Sequence, residues 1–210
     1  MKIKHVGHSS FVIETNNKSI LTDPYDESVG YPLYEQSVDI VTISHDHYDH
    51  NAVGHLRGTF TAVKDTGETL LDGIKFTGFA SWHDDNQGKD RGSNVIFKIE
   101  AENIKLVHLG DLGVVLTSEQ IKAIGTVDIL LIPVGGFYTI DAEQAWTVVE
   151  QLNPRIVIPM HYKTPATEFP IAPVEKFLAR ADTVTKKPEL DITNERLPSR
   201  REIIVLAEIA

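Results

Sequence analysis

The run His45-Asp46-His47-Tyr48-Asp49-His50 sets three imidazoles and interleaved carboxylates into six positions. Imidazole nitrogens and carboxylate oxygens are the donors that hold a divalent ion where no thiolate is available, and the chain contains no cysteine. Alternation places His45 and His47 side by side, with Asp49 and His50 one turn further on. Such a stretch can serve two ions at once, His45 and His47 for one, Asp49 and His50 for the other. A solvated His/Asp loop is the plain alternative. It is disfavoured by the preceding Asp39-Ile40-Val41-Thr42-Ile43-Ser44, which reads as a buried strand. Metal-type donors at the end of a strand mark an active site on an α/β scaffold.

The elements that must carry these residues alternate in two styles. Early on, Lys2–Val6, Ser10–Glu14 and Ser19–Leu21 read as short strands, with Asn16-Asn17-Lys18 as a turn. After the His-rich run a helix is predicted from Asp49, because a carboxylate in a first turn suits the helix dipole. Thr59–Val63, Glu68–Leu71 and Ile74–Phe79 follow as strands, then the polar loop Asp84–Gly92, long enough to be functional or mobile. Strands Asn94–Ile99, Ile104–Leu109, Val127–Ile132, Arg155–Ile158 and Glu202–Leu206 then alternate with helices Thr117–Ile124, Asp141–Leu152 and Pro173–Ala179. Two packed sheets, or one large mixed sheet, with helices outside would result.

Composition bounds the function classes. The chain has 210 residues, enough for one domain spanning 1–210, with 41% hydrophobic and 24% charged content. No apolar run is long enough to cross a bilayer and the first residues lack a signal-peptide pattern, so a cytoplasmic protein without membrane partners is expected. A net charge of −10 argues against a nucleic-acid partner, which requires a basic surface. Tyr31, Leu33 and Tyr34 are apolar enough to cover a pocket or a second copy in a homo-oligomer.

The run at His45 resembles the H-x-H-x-D-H signature of the metallo-β-lactamase superfamily of metal-dependent hydrolases. The other superfamily motifs have matches in chain order: Asp23 in Leu21-Thr22-Asp23-Pro24, His83 in Ser81-Trp82-His83-Asp84, Asp111 in His108-Leu109-Gly110-Asp111, and His161 in Pro159-Met160-His161-Tyr162. The phrasing Gly7-His8-Ser9-Ser10-Phe11 and Pro133-Val134-Gly135-Gly136 is most similar to small stand-alone members related to ascorbate-6-phosphate lactonase. The resemblance implies a four-layer αββα sandwich. It also implies a first ion on His45, His47 and His83, a second on Asp49, His50 and His161, and Asp111 bridging them. Asp23 is implied as a structural partner behind the ligands. A lone histidine is more often a core or surface residue than a ligand; place at the end of an apolar segment, in family order, favours ligation for His83 and His161. His108 reads equally as an orienting partner or as a buried histidine held by backbone. His8 lies near the site as a further supporting residue.

The implied cofactors are two divalent ions, zinc first, with manganese or iron admitted by the same donors. They would acidify a shared water, which Asp49 orients as the catalytic carboxylate. His at position 47, where redox members carry Glu, points to hydrolysis. The expected substrate is a small ester, lactone or phosphodiester, with an anionic one plausible at a centre whose ions outweigh its carboxylates. A nucleotide or nucleic-acid phosphodiesterase and a non-catalytic metal scaffold are the competing functions. Tyr138, Tyr162 and Lys163 are the candidate substrate contacts, with Arg91 beside them, although rim packing explains each as simply.

Overall fold

The computed structural model describes residues 1–209 as two packed sheets with helices on one side. The strands are β1 Lys2–Gly7, β2 Ser10–Thr15, β3 Lys18–Thr22, β4 Ile40–Thr42, β5 Thr61–Val63, β6 Gly67–Leu71, β7 Ile74–Trp82, β8 Ser93–Ala101, β9 Ile104–His108, β10 Ile129–Pro133, β11 Ile156–Met160, β12 Val184–Lys187, β13 Leu190–Asp191 and β14 Glu202–Leu206. Three helices, α1 Ser118–Ile124, α2 Ala142–Leu152 and α3 Glu175–Leu178, complete the list of α elements among the described residues. The first sheet runs β13-β1-β2-β3-β4-β5 and the second β12-β14-β11-β10-β9-β8-β7-β6.

Strand direction decides where chemistry can be placed. In the second sheet β9, β10, β11, β14 and β12 are mutually parallel, and β7 shares their direction through antiparallel β8. In the first, β3, β4 and β5 are parallel, and β1 shares their direction through antiparallel β2. Central strands covered on both faces read as unbroken apolar runs, as Ile129-Leu130-Leu131-Ile132 does. Between the sheets, Ile3, Phe11, Ile13, Ile20 and Ile40 meet Phe76, Phe97, Ile99, Leu106 and Ile158 in one fully buried core.

The outer face of the second sheet is covered by α2, which turns Ala145, Trp146, Val148, Val149 and Leu152 inward. Reciprocal capping boxes, Thr117 with Gln120 and Asp141 with Gln144, start α1 and α2 at the expected residues. The outer face of the first sheet differs from the expected helical layer. There Val12, Leu21, Val41 and Ile43 are covered by Tyr25, Val29, Tyr31 and Val38 from irregular chain and short 3-10 turns. No helix starts at Asp49: residues 48–50 form a turn, and Gly54 and Gly58 follow within ten residues. Tyr31 is buried in this core, and the half-buried Leu33 and Tyr34 pack against it. No helix among the described residues is long and apolar enough to cross a membrane.

Candidate metal centre

Every chemistry-bearing residue follows the C-terminal end of a strand, and the strand directions bring those ends together. β1 leads to His8, β3 to Asp23, β4 to the run from His45, β7 to His83, β9 to Asp111, β10 to Tyr138 and β11 to His161. Backbone dipoles and loop freedom make this end of α/β sheets the usual ligand site. Three of its residues are in left-handed conformations: His8, Asp23 and His161 have φ of 53°, 41° and 51°, values that non-glycine residues adopt infrequently. Gly110 (φ 55°) is required before Asp111, because a Cβ there would strike the Asn94 side chain and Ser44.

The donors converge on Asp111. Its Oδ1 lies 3.2 Å from His50 Nε2, and its Oδ2 lies 3.2 Å from both His83 Nε2 and His161 Nε2. Three overlapping sets have all their donor atoms within 4.8 Å of one another: His45, His47 and His83; His45, His50 and Asp111; and His8, Asp49, His50 and His161. A divalent ion fits this arrangement on one observation in particular. His45 Nε2, His50 Nε2, His161 Nδ1 and Asp111 Oδ1 are buried without an aligned hydrogen-bond partner among the described residues. Buried polar atoms are normally paired, and metal coordination is the pairing that imidazole lone pairs beside a carboxylate supply.

Tautomers are set from behind. Asp23 Oδ2 accepts from His50 Nδ1 at 2.8 Å and from Ser44 Oγ at 2.6 Å, and Oδ1 accepts from Ser44 N at 2.8 Å. Since Ser44 Oγ donates to Asp23, it accepts from His45 Nδ1 at 2.9 Å. His83 Nδ1 donates to the Tyr138 carbonyl at 3.1 Å. Each contact leaves an Nε2 lone pair facing the centre, the outer-partner arrangement typical of metal-binding histidines. Asp23 thus serves two ligands, one directly and one through Ser44, which the sequence pattern did not single out. Asn94 was also missed: it accepts from Asp111 N at 3.0 Å and donates to Leu109 O at 2.9 Å, fixing the turn.

The electrostatics are those of a crowded, buried site. Burial, then the neighbouring His50, pushes His45 down to about 3. Burial would also lower His50, but Asp111, Asp23 and Asp49 overcome it and raise His50 well above its ordinary value. Burial would raise Asp111 and Asp49; the imidazoles around them hold both below the usual carboxylate range. A proton on His50 and a cation on its Nε2 are therefore alternatives at one position.

Around the centre the structure separates the remaining candidates. His108 Nε2 donates to Ser9 O at 2.8 Å and its Nδ1 accepts from Gly110 N at 3.1 Å, so it braces two backbones and contacts no ligand imidazole. Asp84 gathers four backbone N–H groups, from Asn86, Gly88, Asp90 and Arg91, at 2.8–3.0 Å. That cradle orders the loop expected to be functional or mobile and lays Arg91 over the Tyr138 ring, 5.5 Å from its centroid. Tyr138 is therefore placed at the site, between Arg91 and Phe169. Tyr162 is not: at 8% exposure it belongs to the core under α2. Lys163 Nζ is bound to the Thr167 carbonyl and braces its own loop.

This fold and donor set define a class, and comparison with known proteins agrees. Residues 2–161 match the model of the Beta-lactamase superfamily domain, and the chain belongs to that family. It is a metal-dependent hydrolase of the metallo-β-lactamase superfamily, similar to proteins named UPF0173 metal-dependent hydrolase. One from Pyrococcus abyssi is 30% identical and one from Nanoarchaeum equitans 32% identical, each alignment covering 78% of this chain and 85% of the relative. A Thermotoga maritima structure, described as a candidate Zn-dependent hydrolase of this superfamily, is 37% identical with a TM-score of 0.84. It covers 98% of this chain and 97% of its own.

Proposed function

We propose that this hydrolase works with two divalent ions, zinc first, and cleaves a small anionic ester, lactone or phosphodiester. The observation that carries the reading is the convergence of two donor sets about Asp111, with His45, His47 and His83 on one side and Asp49, His50 and His161 on the other. Such ions, when bound, supply an acidified water as nucleophile and electrophilic stabilisation of the developing charge.

The chain's own residues do the rest. Asp49 remains ionised at neutral pH, because His8 and His50 outweigh its burial. Its carboxylate accepts a hydrogen bond from the attacking water and sets its direction, while a pKa this low makes it a weak final proton acceptor. Asp23 and Ser44 hold His45 and His50 in the tautomer that keeps Nε2 free. Arg91 has no carboxylate partner among the described residues, and it is poised over Tyr138. Lys163 braces its own loop, and Arg91 is a cation placed to meet an anionic group at the mouth. Tyr48 (54% exposed), within the ligand-bearing turn, and Phe137 (64% exposed), packed edge-on against Tyr138, favour a nucleotide phosphodiester as the second reading, since a base stacks on such faces.

The test strips the metal, reloads zinc, manganese or iron separately, and assays bis(p-nitrophenyl) phosphate, p-nitrophenyl acetate and a simple γ-lactone. Metal-dependent turnover of at least one probe is expected, with Arg91→Ala raising KM for the anionic probe and sparing the neutral ester. Absence of metal-dependent turnover of all three under every metal would overturn the reading.

A further inference from the structure

His5 and His8 lie three residues apart on β1 and the turn that follows it, and they are treated oppositely by the fold. His5 stacks on Phe11 at 4.6 Å and its Nε2 bonds to the His8 carbonyl at 3.1 Å. The His8 side chain is fully buried, yet both of its ring nitrogens lack a hydrogen-bond partner among the described residues. Its backbone is held in a left-handed conformation, φ 53°. The same His8 carbonyl accepts from His161 N at 3.1 Å, so the turn is pinned to the end of β11.

That clamp fixes where the ring goes. The His8 imidazole lies 4.2 Å from the His161 ring and 5.3 Å from the His50 ring, centroid to centroid, with Phe169 closing its other side at 5.4 Å. Its Nε2 is 3.4 Å from Asp49 Oδ2 without hydrogen-bond alignment. Ligands of one ion stand at such separations, because each is about 2.0–2.2 Å from the metal and they point at a shared centre rather than at each other. A buried imidazole with two unpaired nitrogens, held on a strained backbone, is unfavourable without such a partner.

We propose that His8 is a ligand of the second ion, together with Asp49, His50 and His161. The inference rests on the two-ion reading above. One consequence follows for substrate. The protein largely fills the second ion's coordination, whereas His45, His47 and His83 leave their ion the open position that a catalytic site keeps. The substrate's reacting oxygen would therefore be taken at the three-histidine side, where His83 bonds to the Tyr138 carbonyl.

Two measurements on the full-length chain decide this. In protein with 15N-labelled histidine, titrated with 113Cd(II), the His8 imidazole nitrogen is expected to show coupling to cadmium. An uncoupled His8 overturns the proposal, and the measurement needs no variant to fold. Chelator competition with zinc then reads site affinities in His8→Ala and His8→Gln. Both are expected to weaken the second site by more than about 100-fold, the upper end of what losing a ligand's hydrogen-bonding partner costs, while the first site is unchanged. Full second-site affinity in His8→Gln would reduce His8 to a hydrogen-bond donor for Asp49. A wild-type chain that takes up a single ion sinks the two-ion reading, and the cadmium coupling still reports whether His8 binds it.

Discussion

The two ends of the sandwich treat their charged groups in opposite ways. At the N-terminal ends of β3 and β4, the Asp39 carboxylate accepts from Ser19 N and Oγ, both at 2.9 Å, and pairs with Lys18 at 3.2 Å. Asp128, before β10, accepts from Lys105 N at 2.9 Å. At the other end, Asp111 and three imidazoles, His50, His83 and His161, bring acceptor and lone-pair atoms within 3.2 Å without aligned hydrogen bonds. One end satisfies its polar groups from within the chain, so it is architecture. The other leaves them aimed at a common point, so it is built around something the chain does not itself supply.

Removing Asp23 should give the largest break in this contrast. Asp23→Ala takes away the acceptor for His50, Ser44 N and Ser44 Oγ in a fully buried position. A stability loss of about 3 kcal/mol is expected, as for breaking a buried charged pair, together with weaker metal retention. Denaturant melts and metal content check both; a variant that keeps full metal and wild-type stability would show that Asp23 orients nothing. Asp84→Ala acts next, on the rim. With four N–H groups released, loop 84–92 should become protease-sensitive and KM for an anionic probe should rise, while metal per chain is unchanged. Limited proteolysis and kinetics read the two separately.

Acid should expose a smaller effect beneath the site. Burial holds His5 down to about 4, against an ordinary 6.5, so between those values the unfolded chain binds a proton the folded chain refuses. Stability contributed by this difference falls as pH drops from 6.5 towards 4 and levels off below it, with a slope of at most about 1.4 kcal/mol per pH unit. His5→Phe in chelator-treated protein should flatten that limb; an unchanged slope would assign it to other histidines. The smallest effect is expected at the opposite end. Asp39→Ala, partly exposed and paired to a half-buried lysine, should shift Tm by less than about 4 °C and leave metal content alone.

Much of the centre was legible because its donors are contiguous or close a strand. The His45 run, His83, Asp111 and His161 each follow an apolar segment whose end could be read directly. His8 was placed near the site but not within it, since 41 residues separate it from Asp49 and only the shared direction of β1 and β4 joins them. Tyr162 and Lys163, expected as substrate contacts, are turned elsewhere for a local reason. The left-handed turn at His161 sends its neighbours into the core and the loop rather than towards the centre. The helix expected at Asp49 failed because that carboxylate faces the histidines instead of capping a turn. β12 escaped notice as a half-polar edge strand, Val184-Thr185-Lys186-Lys187, which carries little apolar signal.

The central claim is that the C-terminal strand ends form one two-ion centre around Asp111. Elemental analysis of the reloaded full-length chain, beside Asp111→Asn, tests it most directly. About two ions per chain in the wild type, falling below one in the variant while the fold persists, is the predicted result. Wild-type protein that holds well under one ion after reloading with zinc, manganese and iron would contradict it.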